Sequence, residues 1–251
     1  MARTRSFREV IETPKDIDQL SISADIADII IEPHEEDYIV LHGFILGGDP
    51  PKIEKIVEEK RIDIQVVRAK AESRLYSLKM KIFIPSTRIN ELVNITLEIG
   101  DVRIDGVPVK ILKIDTSNGD VMVGGVGTEQ VKLSCRNGDV IFRGGRFSDG
   151  YFTTINGDIR LEILMEKDYN LYASSKKGRI RISLPINTSA TVQARALRGR
   201  VTVTPKSVMR GDESGDEKTL VFGEGDAKLR LETLDGDINI NLFAKPPIEM
   251  K

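Results

Sequence analysis

Apolar and polar residues alternate with period two along most of the chain, and the alternation restarts at regular intervals. Each restart is a glycine, a charged residue and then a triplet whose first and third residues are apolar. The glycines are Gly100, Gly119, Gly138, Gly157, Gly178, Gly199 and Gly236, separated by 19, 19, 19, 21, 21 and 37 residues. The last interval is close to twice the unit, and Ala27-Asp28 is a degenerate early copy. Two places after the glycine stand Ile29, Val102, Val121, Val140, Ile159, Ile180, Val201 and Ile238. Four places after it stand Ile31, Ile104, Val123, Phe142, Leu161, Ile182, Val203 and Ile240. Three places before it the residues are mostly small: Ala24, Leu97, Thr116, Cys135, Thr154, Ser175, Ala196 and Thr233. Such alternation predicts strands with one buried face, and a fixed period predicts a repeat architecture.

One unit of about 19 residues traces roughly 63 Å, which closes as a rounded triangle with sides near 20 Å. Stacked coils would bury the inward columns and pair each backbone group with the coils above and below. The expected fold is therefore all-β: a single β-solenoid of about 8–9 coils of 19–21 residues, spanning 1–251 as one domain. Asn118, Asn137 and Asn156 precede their glycines, and Asn-Gly suits a sharp corner. Asparagines stacked coil over coil can also hydrogen-bond along the stack.

Two segments interrupt the repeat. Residues 49–60 place Ile53, Ile56 and Val57 at helical spacing behind two prolines, which predicts a short surface helix. Residues 205–226 lengthen the penultimate coil into a loop or hairpin. Residues 1–16 and the tail 243–251, with Pro246 and Pro247, are the expected caps of otherwise open ends.

Composition narrows the function classes. The net charge is −2, one cysteine excludes an internal disulfide framework, and two histidines with that cysteine exclude a Cys/His zinc cluster. Few glutamines beside abundant Ile, Val, Lys, Arg and Glu give a balance seen in proteins from hot environments. No apolar run reaches the roughly 20 residues of a membrane-spanning helix. With no signal-like start either, the expectation is a cytoplasmic chain that can associate peripherally with a membrane.

The candidate chemistry lies in columns. Asp101, Asp120, Asp139 and Asp158 follow successive glycines, and neighbours would repel by ~0.9 kcal/mol even at the dielectric of water. They are metal candidates, as a row of calcium sites, against the alternative that each carboxylate accepts corner amides. A second group is basic: Lys176, Lys177, Arg179, Arg181, Arg195, Arg198 and Arg200, with no acidic residue among them. Stacking would gather it into one patch for nucleic acid, anionic lipid or acidic glycan, unless Asp158 and the acidic loop Asp212, Glu213, Asp216 and Glu217 neutralise it. Cys135 reads as a buried packing residue, and His34 and His42 as exposed or satisfied. The glycines of GEGDA near residue 225 lack the Lys-Ser/Thr of a phosphate loop.

The segments LKMKIFIPSTRINELVNITLEIGDVRIDGV, TSNGDVMVGGV, CRNGDVIFRGG, TINGDIRLEI and VFGEGDAKLRLETLDGDINI, with DIADIIIE near the start, resemble the putative-adhesin family, also called toastrack. The resemblance covers most of the chain and implies an all-β, solenoid-like domain with no established catalytic activity. The expected function is a non-enzymatic scaffold that needs no cofactor and binds a protein partner or itself through a stacked face or the basic side. A polysaccharide-acting enzyme using Asp120, Asp139 and Asp158 is the rival reading. It would need a cleft of convergent carboxylates.

Overall fold

The computed structural model describes residues 4–13, 17–47, 51–67, 77–86, 89–165, 167–205, 210–212 and 217–244. Its strands are β1 (Thr4–Glu12), β2 (Ile17–Ile26), β3 (Asp28–His34), β4 (Tyr38–Leu46), β5 (Lys52–Val57), β6 (Arg61–Val67), β7 (Ser77–Pro85) and β8 (Ile89–Ile99). The regular repeats supply β9 (Val102–Asp105), β10 (Ile111–Asn118), β11 (Val121–Gly124), β12 (Gln130–Asn137), β13 (Val140–Gly145), β14 (Asp149–Asn156), β15 (Ile159–Ile163), β16 (Asn170–Lys177) and β17 (Ile180–Pro185). The remainder are β18 (Ala190–Arg198), β19 (Val201–Thr204), β20 (Arg210–Asp212), β21 (Glu217–Phe222), β22 (Ala227–Asp235) and β23 (Ile238–Phe243).

Each repeat contributes a long strand to one sheet, turns at the glycine corner, and contributes a short strand to the other. The register is that of the columns: Val121 pairs with Val102 on one side and Val140 on the other, and Val140 with Ile159, all four buried. The two inward faces meet in one apolar cluster, which includes rings of Phe142, Phe147, Phe152 and Tyr169 with centroids 5.3–5.8 Å apart.

The coil is two-sided rather than triangular. The strands form an 11-stranded and a 12-stranded sheet, and the third side is a short connection such as Gly106–Lys110. These connections contain Pro108, which has no N–H to donate, and left-turning Gly106 and Gly125. Among the described residues they share a single bridge, Gly127 to Arg146. The expected helix over 49–60 is also absent: residues 49 and 50 lie outside the described residues, and 52–57 form β5, antiparallel to β6. The β-branched Ile53, Ile56 and Val57 suit a strand, and the open edge of β6 offers a ladder. Ile56 and Val57 remain exposed, so the apparent helical face has no core to cover.

Sequence order and spatial order part company near both ends. The long-strand sheet runs β20-β21-β18-β22-β16-β14-β12-β10-β8-β2-β6-β5. The short-strand sheet runs β1-β4-β7-β3-β9-β11-β13-β15-β17-β23-β19. The coil β22–β23 thus sits between β16–β17 and β18–β19, which precede it in the chain. Likewise β2–β3 is flanked by β6–β7 and β8–β9, which both follow it. The long interval before Gly236 is therefore not a stretched coil. It holds the β20–β21 hairpin, antiparallel on the outer edge of β18, and then a coil that returns inward. At the other end β1 pairs antiparallel with β4 as the sheet edge. The 245–251 tail lies outside the described residues.

Candidate functional site

The glycine corners are where chains approach most closely. A Cβ on Gly138 would lie 2.2 Å from the carbonyl oxygen of Gly119, and one on Gly119 2.0 Å from that of Gly100. The corner itself extends the ladder, with Gly119 N donating to Asn137 O (3.0 Å) and Gly138 N to Asn156 O (2.9 Å). The glycine carbonyls turn inward, and the small-residue column supplies their donors. Thr116 Oγ1 donates to Gly100 O (3.2 Å), Cys135 Sγ to Gly119 O (3.0 Å), Thr154 Oγ1 to Gly138 O (3.0 Å), Ser175 Oγ to Gly157 O (2.9 Å) and Thr233 Oγ1 to Gly178 O (2.9 Å). A buried carbonyl left without a donor is costly, so five of the column's eight places carry a hydroxyl or a thiol for a reason beyond size. Burial pushes the Cys135 thiol up to about 11, with the Asp120 carboxylate adding to the effect, which leaves little thiolate to react.

The aspartate column is engaged in the corner. Asp101 Oδ1 accepts Asp120 N (2.8 Å), Asp120 Oδ1 accepts Asp139 N (2.7 Å), Asp139 Oδ1 accepts Asp158 N (2.8 Å) and Asp158 Oδ1 accepts Arg179 N (2.9 Å). Arg160 reaches Oδ2 of both Asp139 (3.1 Å) and Asp158 (3.5 Å), and Arg181 reaches Asp158 Oδ2 (3.3 Å), so the expected repulsion is offset where the column is longest. Beside it, Asn137 Nδ2 donates to Asn118 Oδ1 (2.8 Å) and Asn156 Nδ2 to Asn137 Oδ1 (2.7 Å). Among the described residues, no group of three or more His, Cys, Asp or Glu is placed to hold a metal ion.

The out-of-order coil interleaves acidic residues among the basic ones. Asp235 of β22 pairs with Lys177 on one side and Arg198 on the other. Asp237 stands between Arg179 and Arg200 and accepts Arg200 N at 3.0 Å. Glu232 lies opposite Arg195, which also faces Glu217. Arg181 belongs to the outer face of the short-strand sheet, whereas Lys176 and Arg195 belong to that of the long-strand sheet. Glu213 and Asp216 lie outside the described residues, as does the side chain of Asp212.

Three smaller expectations resolve locally. His34 Nε2 meets Tyr38 O at 2.6 Å, but His42 Nε2 is buried without a hydrogen-bond partner among the described residues, beneath the edge of Phe83 (5.6 Å). The two histidines thus differ at Nε2, which is partnered in His34 and unpartnered in His42 among the described residues. The amides of Glu224 and Gly225 converge on Ser189 Oγ (3.0 and 3.1 Å), so this glycine loop cradles a hydroxyl of the chain itself.

A feature without any single-residue signal lies on the outer face of the long-strand sheet. Ser134, Thr153 and Ser174 pair in register across β12, β14 and β16, forming a low column along the stack. Lys132, Tyr151 and Tyr172 rise beside it on one flank, in register with one another. Arg136, Ile155 and Lys176 stand two positions beyond the low column on the other flank. The result is a shallow groove along the stack. One depression of about 370 Å³ runs from Asp115 to Ser174 and Lys176, and a second of about 320 Å³ shares those two residues and reaches Arg195. Among the described residues Lys132, Arg136 and Lys176 make no ion pair, unlike Arg103, Arg160 and Arg181 on the opposite sheet.

Residues 30–241 match the family described as Toastrack DUF4097. No curated protein matches the chain. Among solved structures the chain is similar to a putative cell adhesion protein from Clostridium sporogenes ATCC 15579, at 14% identity over 96% of this chain and 100% of that one (TM-score 0.44). It is also similar to a putative adhesin from Bacteroides fragilis NCTC 9343, at 12% identity over 97% of each chain (TM-score 0.47). A putative lipid binding protein from Parabacteroides distasonis ATCC 8503 shares 13% identity over 96% of each chain (TM-score 0.37).

Proposed function

The chain belongs to the Toastrack DUF4097 family, and on that premise we propose that it is a non-enzymatic binding scaffold whose contact surface is the outer face of the long-strand sheet. The observation that carries this reading is the groove over Ser134, Thr153 and Ser174, held by parallel strands in unbroken register. A surface built on ladders is rigid before a partner arrives, so little ordering entropy is lost on contact. The carboxylates that an enzyme of the polysaccharide-acting kind would use accept corner amides instead of converging on that groove, which favours the scaffold.

The test is to fill the groove. Thr153→Trp places a large ring over the low column without touching the core, and Ser134→Tyr does the same one strand away. Material from the source cell that is retained by the immobilised wild-type chain should be lost from both variants while their melting curves stay unchanged. Retention that ignores both substitutions would refute the assignment of the face.

A further inference from the structure

Resting on that reading, we propose that the groove takes an extended acidic glycan, a chain of pyranose rings carrying a carboxylate on every second ring, laid along the stack axis. Charge is the first argument. Arg136 and Lys176 line the groove and Lys132 stands two positions from its floor, all three without ion pairs among the described residues, although the chain as a whole carries a net charge of −2. On the opposite sheet the arginines beside the aspartate column are neutralised by neighbours: Arg103 by Asp105 at 2.9 Å, and Arg160 by Asp139 and Asp158. Unpaired cations on both flanks of a groove are an electrostatic complement to a polyanion.

Spacing is the second argument. Arg136 and Lys176 lie two strands apart on one flank, roughly 9.6 Å at the ordinary strand separation. An extended pyranose chain advances by about one strand separation per ring, so a carboxylate on alternate rings meets one cation and then the other. The intervening ring lies over Ile155, which is exposed. The third argument is the character of the floor and rim. Ser134, Thr153 and Ser174 present hydroxyls that both donate and accept, as sugar hydroxyls do. Tyr151 and Tyr172 offer an apolar ring with a polar tip to the C–H face of a sugar, and Tyr172 is anchored through its hydroxyl to Glu232 (3.0 Å). Asp115 at one end and Glu232 at the other bound the positive stretch, so the favourable contacts are confined to about three rings between them.

The probes are a hyaluronan decasaccharide, its carboxyl-reduced neutral counterpart, an oligomannuronate and oligo(dT), each titrated into the full chain at low salt by calorimetry. The hyaluronan probe should bind and weaken with added salt, and carboxyl reduction should weaken it about tenfold or more. Arg136→Gln with Lys176→Gln should cause a similar loss, and Tyr151→Ala a several-fold one. All three positions are exposed, so unchanged melting curves verify folding. The length of the recovered glycan should be unchanged, as expected of a binder. Failure of both uronate probes to bind, equal binding of the reduced form, or indifference to the paired substitution overturns the glycan. Tighter, groove-dependent binding of oligo(dT) overturns it in favour of nucleic acid. If the glycans fail while Thr153→Trp still abolishes retention of cellular material, the binding face stands and only its ligand class is wrong.

Discussion

Gly138→Ala tests the stacking of the corners directly. The added Cβ would sit 2.2 Å from Gly119 O and 2.6 Å from Gly119 C, about 1 Å inside ordinary contact. Both are backbone atoms, so no side chain can swing away. The residue also holds φ at +150°, which a side chain disfavours by about 1 kcal/mol. Relief requires the coils to separate at the corner, which strains the bonds from Gly119 N to Asn137 O and from Gly138 N to Asn156 O, and the Cys135 contact to Gly119 O. At about 1 kcal/mol for each of two or three lost bonds, the total comes to about 3–4 kcal/mol. That is a large share of the 5–15 kcal/mol typical of a folded domain. Gly127→Ala is the matched control, since no atom lies within 4 Å of its added Cβ and its φ is not positive. Urea unfolding should show a midpoint drop for the first and a change within about 0.5 kcal/mol for the second. A loss below about 1 kcal/mol for Gly138→Ala would mean that the corners give way, and that the glycine column reflects turn preference alone.

Other substitutions probe the interior donors. Thr154→Val should cost about 1–3 kcal/mol in urea unfolding by stranding the Gly138 carbonyl, whereas Thr154→Ser should recover most of it. Tyr169→Phe should be neutral or stabilising, because the Tyr169 hydroxyl is buried without a partner among the described residues and burial holds its ionisation well above the ordinary range. The Cys135 thiol, raised to about 11 from an ordinary 9.0, ionises more readily unfolded than folded. Its contribution is therefore complete below pH 9 and lost as pH climbs towards 11, so Cys135→Thr should flatten the decline of stability across that window.

The columns through Val102, Val121, Val140 and Ile159 were legible in the sequence because burial repeats with the period of the backbone, and nothing else produces that pattern. The order of the coils was not legible. Ile238 meets Ile180 and Val201 alike, and two β-branched neighbours of similar shape carry no record of which coil was laid first. That single ambiguity hid the separation of Lys177 from Arg198 by Asp235. The spacing of Ile53, Ile56 and Val57 fitted a helix because three positions cannot distinguish a helical stripe from an exposed edge strand. The hydroxyl column could be read as small, but its role required knowing that the glycine carbonyls face inward. The groove depends on outward positions of three strands taken together, and so emerges only once Ser134, Thr153 and Ser174 are placed side by side.

The slot filled by residues 227–243 has a consequence for biosynthesis. Residues 190–204 leave the ribosome earlier, yet their final neighbour does not exist until the later segment has emerged. During translation they have no parallel partner except a coil that must later be prised from them, or none at all. A nascent chain arrested before residue 227 would therefore lack the coil that joins β16–β17 to β18–β19, a layer from within the pile and not from its end.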